Sequence, residues 1–443
     1  MTYKVGMVSL GCPKNQVDGE MLLARLQQDG FEITADETAA DAVIVNTCGF
    51  IEDAKREAID NILEVAQQKQ TGRLKVLVVT GCLAQRYQDE ILKKLPEVDA
   101  VVGIGANQEI CEVVRRALSG AVHQSRYAQA EAMPLNGERL LTTPAYSAYL
   151  RIADGCDNCC TYCAIPLIRG RFRSRTMEQI EQEARTLAAR GAKELVLIAQ
   201  DTTRYGEDLY GELRLPELLD RLCEIDGVEW IRILYTYPDR ITDRLLKTIN
   251  RQPKVLPYLD IPLQHASGPV LKRMNRSGDV QSLTAQLAHI RQMVPGITIR
   301  TTLIVGFPGE TEEDFAVLDE FIKTVRFDRM GCFTYSAEEG TPAASFPDQI
   351  EEQVKQRRME VLMTDQSVIS EQLCEQKLGS VQQVLVEGYD GLNKCCYGRS
   401  IADAPDIDGK VFFTSAKRPA PGELVQVQIT DRIEYDLIGE QLL

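Results

Sequence analysis

Three cysteines lie within a stretch of eight residues, at Cys156, Cys160 and Cys163. They directly follow an apolar run at residues 149–153 that is typical of a β-strand. Spaced as C-x3-C-x2-C, the three thiols can wrap three corners of a cubane iron–sulfur cluster and leave the fourth iron free for a chelating small molecule. Tyr162, just before the last cysteine, is placed to pack over that molecule. A cysteine loop that directly follows a β-strand is more typical of an α/β unit than of a disulfide-rich module.

An extra cysteine in the same stretch leaves a second interpretation open. With Cys159 included, the spacing becomes C-x2-C-C-x2-C, which resembles a zinc site. Cys159 and Cys160 are adjacent, however, so their side chains would point in different directions and would be awkward ligands for one tetrahedral ion. We therefore favour the cluster and expect Cys159 to be a bystander.

A second set of cysteines shares one context. Cys12, Cys48 and Cys82 each stand just past an apolar, strand-like run, at residues 5–10, 42–45 and 76–80. The carboxyl ends of parallel strands lie on one edge of a sheet, where ligands bind. The three thiols are therefore predicted to converge on a cluster with one open iron or on a zinc with one open position. The alternative is three unrelated loop cysteines.

The chain of 443 residues is too long for one ordinary core, and its patterns divide it into segments. Residues 1–122 alternate strand-like and helical runs, which predicts a parallel α/β domain. Residues 123–145 lack periodicity and are predicted to be a linker. Six strand–helix units in residues 146–377 are too few for a complete eight-unit barrel and predict a partial, open (β/α)6 barrel. Short strands separated by turns predict a small antiparallel β-barrel over residues 378–443.

Composition and charge narrow the function classes. No apolar run approaches the roughly 20 residues of a membrane span, and no signal peptide is evident, so we expect a cytoplasmic protein without membrane contact. Thirteen cysteines in such a protein favour metal binding or catalysis over disulfides. The net charge of −15 repels phosphate backbones and attracts basic partners, which counts mildly against a nucleic-acid substrate.

Several stretches resemble a known family. The stretch CDNCCTYCAIPLIRGRFRSR resembles the cluster-binding signature of the radical S-adenosylmethionine (SAM) superfamily and, more narrowly, that of the methylthiotransferase family. The upstream VSLGCPKNQVDGE and VNTCGFIEDAKREAI are similar to that family's N-terminal domain. LIAQDTTRYG, PLQHAS and GFPGETEEDF are closest to its ribosomal-protein branch, and GRSIADAPDIDGKVFF and EYDLIGE resemble that branch's small β-barrel, called TRAM. The resemblance covers nearly the whole chain apart from the predicted linker.

The resemblance implies two [4Fe–4S] clusters and SAM as a consumed co-substrate. Cys156, Cys160 and Cys163 would hold the first cluster, whose open iron chelates SAM and, after one-electron reduction, cleaves it to a 5′-deoxyadenosyl radical. The other three cysteines would hold the second cluster, which supplies the sulfur that a second SAM methylates. The radical then abstracts a hydrogen from the substrate carbon. No catalytic residue is implied beyond the cluster ligands.

Polar residues at other strand ends are candidates for SAM contacts. Gln200 and Asp201 follow the run at residues 195–199, and Gln264 follows another strand end, at the expected mouth of the barrel. Hydrogen bonding to SAM and plain helix capping are equally compatible with their positions. His265, beside Gln264, is compatible with a structural role. Arginines at every second position, as on one face of a strand, are candidates for binding an acidic segment or for a solvated face: Arg169, Arg171, Arg173 and Arg175.

The resemblance implies that the substrate is the β-carbon of an aspartate in small-subunit ribosomal protein twelve, free or in the ribosomal subunit. The rival is the same chemistry on a tRNA adenosine. Residues 381–443 contain 6 Lys and Arg against 10 Asp and Glu, whereas RNA-binding barrels should be basic. Asp403, Asp406 and Asp408 lie in one loop region, and an acidic surface suits a basic ribosomal protein. We therefore expect weak binding to tRNA.

Further partners follow from the same resemblance. It implies a one-electron donor such as flavodoxin and a donor of sulfur for the second cluster.

A hypothesis of another class is a non-catalytic iron–sulfur or zinc module, which would need no SAM pocket. Cleavage of SAM by the reduced protein would exclude that module.

Overall fold

The computed structural model describes residues 2–442, and its first body is a six-stranded parallel sheet in the order β2-β1-β3-β4-β5-β6. The central strands are apolar and buried throughout, as expected for a parallel sheet covered on both faces. The strands are β1 (Lys4–Ser9), β2 (Glu32–Ile33), β3 (Ala42–Thr47), β4 (Val76–Gly81), β5 (Ala100–Gly103) and β6 (Gln124–Arg126).

Helices cover both faces of this sheet: α1 (Pro13–Gln28), α2 (Glu52–Thr71), α3 (Cys82–Tyr87), α4 (Asp89–Lys94) and α5 (Ile110–Leu118). The sequence predicted one helix over residues 85–94. Two short helices are present instead, because the backbone at Gln88 takes a φ of 48° and breaks the helical hydrogen bonding.

The second body is another six-stranded parallel sheet, in the order β14-β13-β12-β11-β10-β7. It has open ends rather than a closed circle, and it has the six strands that the sequence predicts for a partial barrel. Its strands are β7 (Ser147–Arg151), β10 (Glu194–Ile198), β11 (Trp230–Ile233), β12 (Val255–Asp260), β13 (Thr298–Val305) and β14 (Arg329–Thr334). A separate ribbon of β8 (Ala153–Asp154) and β9 (Arg173–Ser174) closes the base of the loop that carries the cysteine-rich stretch.

Helices pack against the outer face of this sheet and form the largest apolar core with it. The helices of this body are α6 (Ile165–Arg169), α7 (Met177–Ala189), α8 (Glu207–Tyr210), α9 (Leu215–Cys223), α10 (Asp243–Arg251), α11 (Gly268–Arg273), α12 (Val280–Met293), α13 (Glu312–Val325) and α14 (Glu352–Glu375). Among the helices of residues 2–442, none is both long enough and apolar enough to cross a membrane.

The third body is a closed five-stranded barrel in the order β15-β16-β17-β19-β18. Its pairings are antiparallel except for the parallel pair β17–β19. The strands are β15 (Val381–Asp390), β16 (Cys395–Ser400), β17 (Val411–Thr414), β18 (Leu424–Ile433) and β19 (Asp436–Gln441). Closure leaves no long unpaired edge.

The segment predicted to be a linker, residues 123–145, is tied to both neighbours. Its first residues form β6 and extend the first sheet. Arg139 is buried and donates to Glu20 of α1 at 2.6 Å and to Glu183 of α7 at 2.6 Å. The segment lacks a hydrophobic period because its anchoring groups are polar, and periodicity therefore could not reveal them.

The barrel docks on the second sheet through buried ion pairs. Glu194 of β10 has no exposed side-chain surface and accepts hydrogen bonds from Arg232 of β11 at 2.9 Å and Arg399 of β16 at 2.6 Å. Burial alone would raise the pKa of Glu194. The two guanidinium groups outweigh that effect and lower the pKa of Glu194 to about 2.

The same interface corrects the predicted acidic surface of the barrel. Asp403 is buried and pairs with Arg329 of β14 at 2.5 Å, and the side chain of Asp408 is buried against Tyr258 of β12 at 2.6 Å. Of the three aspartates only Asp406 is exposed. The prediction that all three face a basic partner is therefore wrong for two of them, because Asp403 pairs with Arg329 and Asp408 accepts a hydrogen bond from Tyr258 inside the molecule.

Candidate metal centres and the cleft between them

The first cysteine set lies at the carboxyl ends of three neighbouring strands. Cys12 follows β1 and caps α1, Cys48 follows β3, and Cys82 follows β4 as the first residue of α3. Because β1, β3 and β4 are adjacent in the sheet, the three thiols share one edge. Cys12 raises the pKa of Cys48, and both of them raise the pKa of Cys82.

Glycines allow the three loops to approach so closely. Gly11 has a φ of 90°, and a methyl group there would lie 2.7 Å from Cβ of Cys48. Gly81 has a φ of 95°, and a methyl group there would lie 2.4 Å from the carbonyl oxygen of Thr47. Neither contact is possible for a real side chain, so only glycine permits this arrangement at both positions.

Burial favours the protonated form of the Cys48 and Cys82 thiols when no cation is near, because it raises the pKa of both. Burial raises the pKa of Cys48, and the neighbouring Cys12 raises it further. Burial likewise raises the pKa of Cys82 to about 12, although Arg169 opposes the shift. A bound metal would reverse this balance, since a coordinated thiol loses its proton.

The second cysteine set lies on the loop between β8 and α6. The amide of Cys156 donates to the carbonyl of Gly170 at 3.2 Å, and the amide of Cys163 donates to the carbonyl of Cys160 at 3.0 Å. Arg276 donates to the sulfur of Cys160 at 3.7 Å. Burial raises the pKa of Cys156 to about 11.

Cys159 differs from its neighbours in conformation. It is exposed, its φ is 52°, and its carbonyl accepts from Asn275 at 3.0 Å. The loop therefore presents three partly buried sulfurs on one side and one exposed sulfur at its turn.

Both sets suit a cluster by the chemistry of their donors. Each offers three soft thiols and leaves one coordination position open. Within residues 2–442, no three His, Cys, Asp or Glu side chains come close enough to bind one metal ion. A cubane spaces its thiolate ligands more widely than a single ion does. Polar hydrogens also point at sulfur in both sets, from Arg169 and Arg276.

Two of the candidate SAM contacts lie beside the cysteine loop. Gln200 donates to Asp154 at 2.7 Å, and its own Oε1 is buried with no hydrogen-bond partner among the described residues. Asp201, by contrast, accepts from Asn158 of the loop at 3.0 Å and from Arg240 at 3.1 Å. It also caps the short turn after β10, so its oxygens already have partners.

The other two candidates, Tyr162 and Gln264, line a cleft of about 770 Å³. On one side the cleft is bounded by Phe50, two residues after Cys48, and by the start of α2. On the other side are the ends of β13 and β14, including the exposed Phe333. The cleft thus borders one loop of each cysteine set and opens to the surface.

His265 and the alternating arginines have structural contacts. His265 is buried and its Nδ1 accepts from the amide of Ser267 at 2.9 Å. Arg169 lies on α6 rather than on a strand, and both it and Arg175 are buried in ion pairs. Only Arg171 is fully exposed, so the predicted common face of four arginines is wrong.

Sequence reasoning missed an ion cluster at the base of the cleft. Glu338 is buried and pairs with Arg86 at 2.7 Å and with Lys55 at 3.1 Å. These contacts join the first and second bodies across more than 250 residues of chain. No local pattern marks such a pair, because its partners meet only in the folded molecule.

Three models of known protein families match successive parts of the chain. The model of the uncharacterized protein family UPF0004 matches residues 4–103, that of the radical SAM superfamily matches residues 150–322, and that of the TRAM domain matches residues 378–442.

Full-length relatives are similar over the entire chain. A protein of Geobacter sulfurreducens named ribosomal protein uS12 methylthiotransferase RimO is 51% identical over 440 residues, which cover 99% of this chain and 98% of that protein. A protein of Pelotomaculum thermopropionicum with the same name is 51% identical over 444 residues and covers 100% of both.

Solved structures share the fold at low identity. The radical SAM methyltransferase TsrM from Kitasatospora setae has a TM-score of 0.58 at 12% identity, covering 83% of this chain and 89% of that one. The cobalamin-dependent SAM radical enzyme OxsB has a TM-score of 0.52 at 14% identity, covering 84% of this chain and 56% of that one.

Proposed function

This chain belongs to the RimO family of ribosomal protein uS12 methylthiotransferases, and from that premise we propose how its residues divide the work of a sulfur-transferring radical SAM enzyme. Cys156, Cys160 and Cys163 hold one [4Fe–4S] cluster, and Cys12, Cys48 and Cys82 hold a second. When bound, the clusters and SAM supply a 5′-deoxyadenosyl radical and the sulfur and methyl of the methylthio group.

The residues around the first set orient SAM and keep the cysteine loop rigid. Gln264 and Tyr162 face the cleft, and the free Oε1 of Gln200 is an acceptor for a polar hydrogen of SAM. Asp201 acts through the loop instead, since it accepts from Asn158 and is saturated by its neighbours. We therefore assign Asp201 a positioning role rather than a SAM contact.

The single observation that carries this proposal is the cleft between the two cysteine sets. A substrate segment inserted there would have one set on each side, as a reaction needs when a hydrogen is removed near one cluster and sulfur is delivered from the other. Phe333 and Ile304 supply an apolar wall, and Asp53 and Arg56 supply an exposed polar rim.

The charges of the cleft favour a basic protein segment over tRNA. Its exposed charged lining comprises the three acids Glu52, Asp53 and Glu352 against Arg56. Glu338 is not counted, because it is buried and paired with Arg86 and Lys55. An acidic lining repels a phosphate backbone and attracts Lys and Arg side chains. This local charge replaces the barrel aspartates as the reason to prefer uS12.

Other partners follow from the same chemistry. The first cluster needs a one-electron donor such as flavodoxin, and the second needs a donor that restores its sulfur. A ribosomal-protein substrate and the many free thiols both support a cytoplasmic location.

Removing one cysteine set at a time tests the assignment of two clusters. One variant has Ala in place of Cys12, Cys48 and Cys82, and a second has Ala in place of Cys156, Cys160 and Cys163. Both are reconstituted anaerobically, and their iron and sulfide contents are measured. Each variant should hold about half the iron of the parent. Only the variant that keeps Cys156, Cys160 and Cys163 should still cleave SAM when reduced. Full iron in either variant, or zinc in place of iron, would refute the assignment.

A further inference from the structure

A buried arginine of the second body reaches across to the cysteine set of the first. Arg169, the last residue of α6, donates through Nη2 to the sulfur of Cys82 at 3.4 Å. We propose that Arg169 is a positioning residue for the second cluster, which hydrogen-bonds its Cys82 ligand and holds its reduction potential above that of a cluster lacking this contact. The inference rests on the proposed assignment of that cluster to Cys12, Cys48 and Cys82.

The guanidinium is fixed from two sides. Its Nη1 lies 2.8 Å from Asp18 of α1 and 3.5 Å from Asp154 of β8. The side chain of Arg169 is 1% exposed, and those of both aspartates are 3% exposed or less. A side chain held at Nη1 by two buried carboxylates cannot swing out to water, so its Nη2 stays aimed at the sulfur.

Burial gives the contact its strength. Interactions between charges and dipoles are stronger in a dry interior than at a surface. A hydrogen bond from a cationic donor stabilises the more negative, reduced state of an iron–sulfur cluster, and hydrogen bonds to cluster sulfurs are one of the means by which proteins set reduction potentials. Loss of Arg169 should therefore shift the potential in the negative direction.

The network continues from Arg169 to the other cysteine site. Asp154 also accepts from Gln200 at 2.7 Å, and the free Oε1 of Gln200 is buried beside the first cysteine loop. One chain of contacts thus runs from Cys82 through Arg169 and Asp154 to Gln200. The position of Arg169 is set by groups from both bodies, which explains why docking of the two bodies is needed to complete the environment of the second cluster.

Redox titration followed by electron paramagnetic resonance tests the proposal. The background is the variant in which Cys156, Cys160 and Cys163 are Ala, so that only the second cluster contributes. Arg169→Gln should shift the midpoint potential to a more negative value, Arg169→Lys should shift it less in the same direction, and the exposed control Arg171→Gln should leave it unchanged. Equal potentials in all four proteins, each with its cluster intact, would overturn the proposal.

A second readout covers the case in which Arg169→Gln does not hold its cluster. In the same background with Arg169 retained, exchange into D2O should produce a deuteron coupling to the reduced cluster, measured by pulsed electron–nuclear resonance. Arg169→Lys, which keeps the charge but not the planar fork, should lose or weaken that coupling relative to Arg171→Gln. A coupling of equal strength in both variants would exclude the hydrogen bond. Absence of any cluster in the background itself would instead refute the proposed function.

Discussion

At the scale of single residues, glycines and cysteines act together to form the two centres. Each cysteine of the first set follows a strand, but Gly11 and Gly81 decide how close the strand ends can come. Within one loop, the spacing of Cys156, Cys160 and Cys163 brings three sulfurs close together. Cys159 in the same loop takes the left-handed conformation and turns outward.

Adjacent cysteines provide the sharpest test of the loop. Replacing Cys160 by Ser should abolish reductive cleavage of SAM and remove the iron of the first cluster, because a hydroxyl is a poor ligand for iron in such a cluster. Cys159→Ser should keep both properties, since this side chain is exposed at the turn. Iron content and 5′-deoxyadenosine production by the reduced proteins check both expectations. Equal losses in the two variants would favour a site that uses both sulfurs.

A glycine substitution should affect the second cluster alone. Gly81→Ala places a methyl group 2.4 Å from the Thr47 carbonyl and forces an unfavourable φ, so the Cys48 and Cys82 loops must separate. We expect about half the iron of the parent after reconstitution and unchanged SAM cleavage. Gly120→Ala is the matched control, because Gly120 also has a positive φ of 98° but has no atom within 4 Å of the added methyl group. Full iron in Gly81→Ala would contradict the role of this glycine.

The positions of the six cysteines in the fold could be predicted from the sequence more readily than the residues around them, and their role as cluster ligands stays a prediction. Their positions at strand ends and their spacing are local features, and local patterns can be recognised in one chain. Arg169 and Cys82 are separated by 87 residues, so their contact depends on the docking of two bodies. For the same reason Asp201 could be predicted at a strand end, but its saturation by Asn158 and Arg240 could not.

At the scale of elements, hydrophobic periodicity predicted most strands and helices, whereas it could not predict the contacts made by polar side chains. The two parallel sheets and the closed barrel agree with the predicted fold class. Periodicity missed β6 and the break at Gln88, because a three-residue polar strand and a single left-handed residue leave no repeat. The contact of the barrel with β10 was also missed, because its buried charges leave no hydrophobic period and its apolar residues come from distant parts of the chain.

The ion pairs beneath the barrel predict a large loss of stability on substitution. Glu194→Gln leaves the guanidinium group of Arg232 buried without its counter-charge and leaves Arg399 with Glu387 alone, which costs about 3–5 kcal/mol. Denaturant unfolding and limited proteolysis between α14 and β15 should show an early release of the barrel. The surface pair variant Glu90→Gln, at an exposed bridge to Lys94, should change stability by less than about 1 kcal/mol. Similar effects of the two variants would contradict this account of docking.

The same carboxylate predicts the response of docking to acid. The pKa of Glu194 is about 2 in the folded protein, below the value of about 4.3 for an unfolded Glu. Its contribution to stability is therefore complete above the unfolded value and is lost as the pH falls from roughly 4.3 towards 2. Comparing the acid unfolding of the parent and Glu194→Gln should show the difference in stability shrinking across this window. A constant difference would exclude Glu194 as its source.

At the scale of the whole molecule, the first and second bodies enclose a cleft that is bordered by loops of both cysteine sets. Helix α1 packs against both sheets, Arg139 ties it to α7, and the Glu338 ion cluster closes the base of the cleft. The overall charge of −15 is distributed so that acids outnumber bases in the cleft lining. The sequence indicated the sign of the charge, but only the folded chain shows which acids line the cleft.

Charge reversal separates recognition in the cleft from recognition by the barrel. Asp53 is exposed on the cleft rim and forms no ion pair among residues 2–442, so Asp53→Lys should weaken binding of uS12 about tenfold at low salt. Asp406→Lys makes the same change at an exposed position of the barrel and should leave the affinity nearly unchanged. Binding isotherms at two salt concentrations would compare the variants. A larger effect of Asp406→Lys would place recognition on the barrel.

The most direct test of the central claim is transfer of the methylthio group itself. The protein, reconstituted anaerobically and reduced in the presence of SAM, receives uS12 and a tRNA anticodon arm in the same reaction, and both are examined by mass spectrometry. We predict that an aspartate of uS12 gains the mass of a methylthio group in place of hydrogen, and that the gain is lost when Cys12 or Cys156 is replaced by Ala. A gain on the tRNA alone, or cleavage of SAM with no gain on either molecule, would contradict the account.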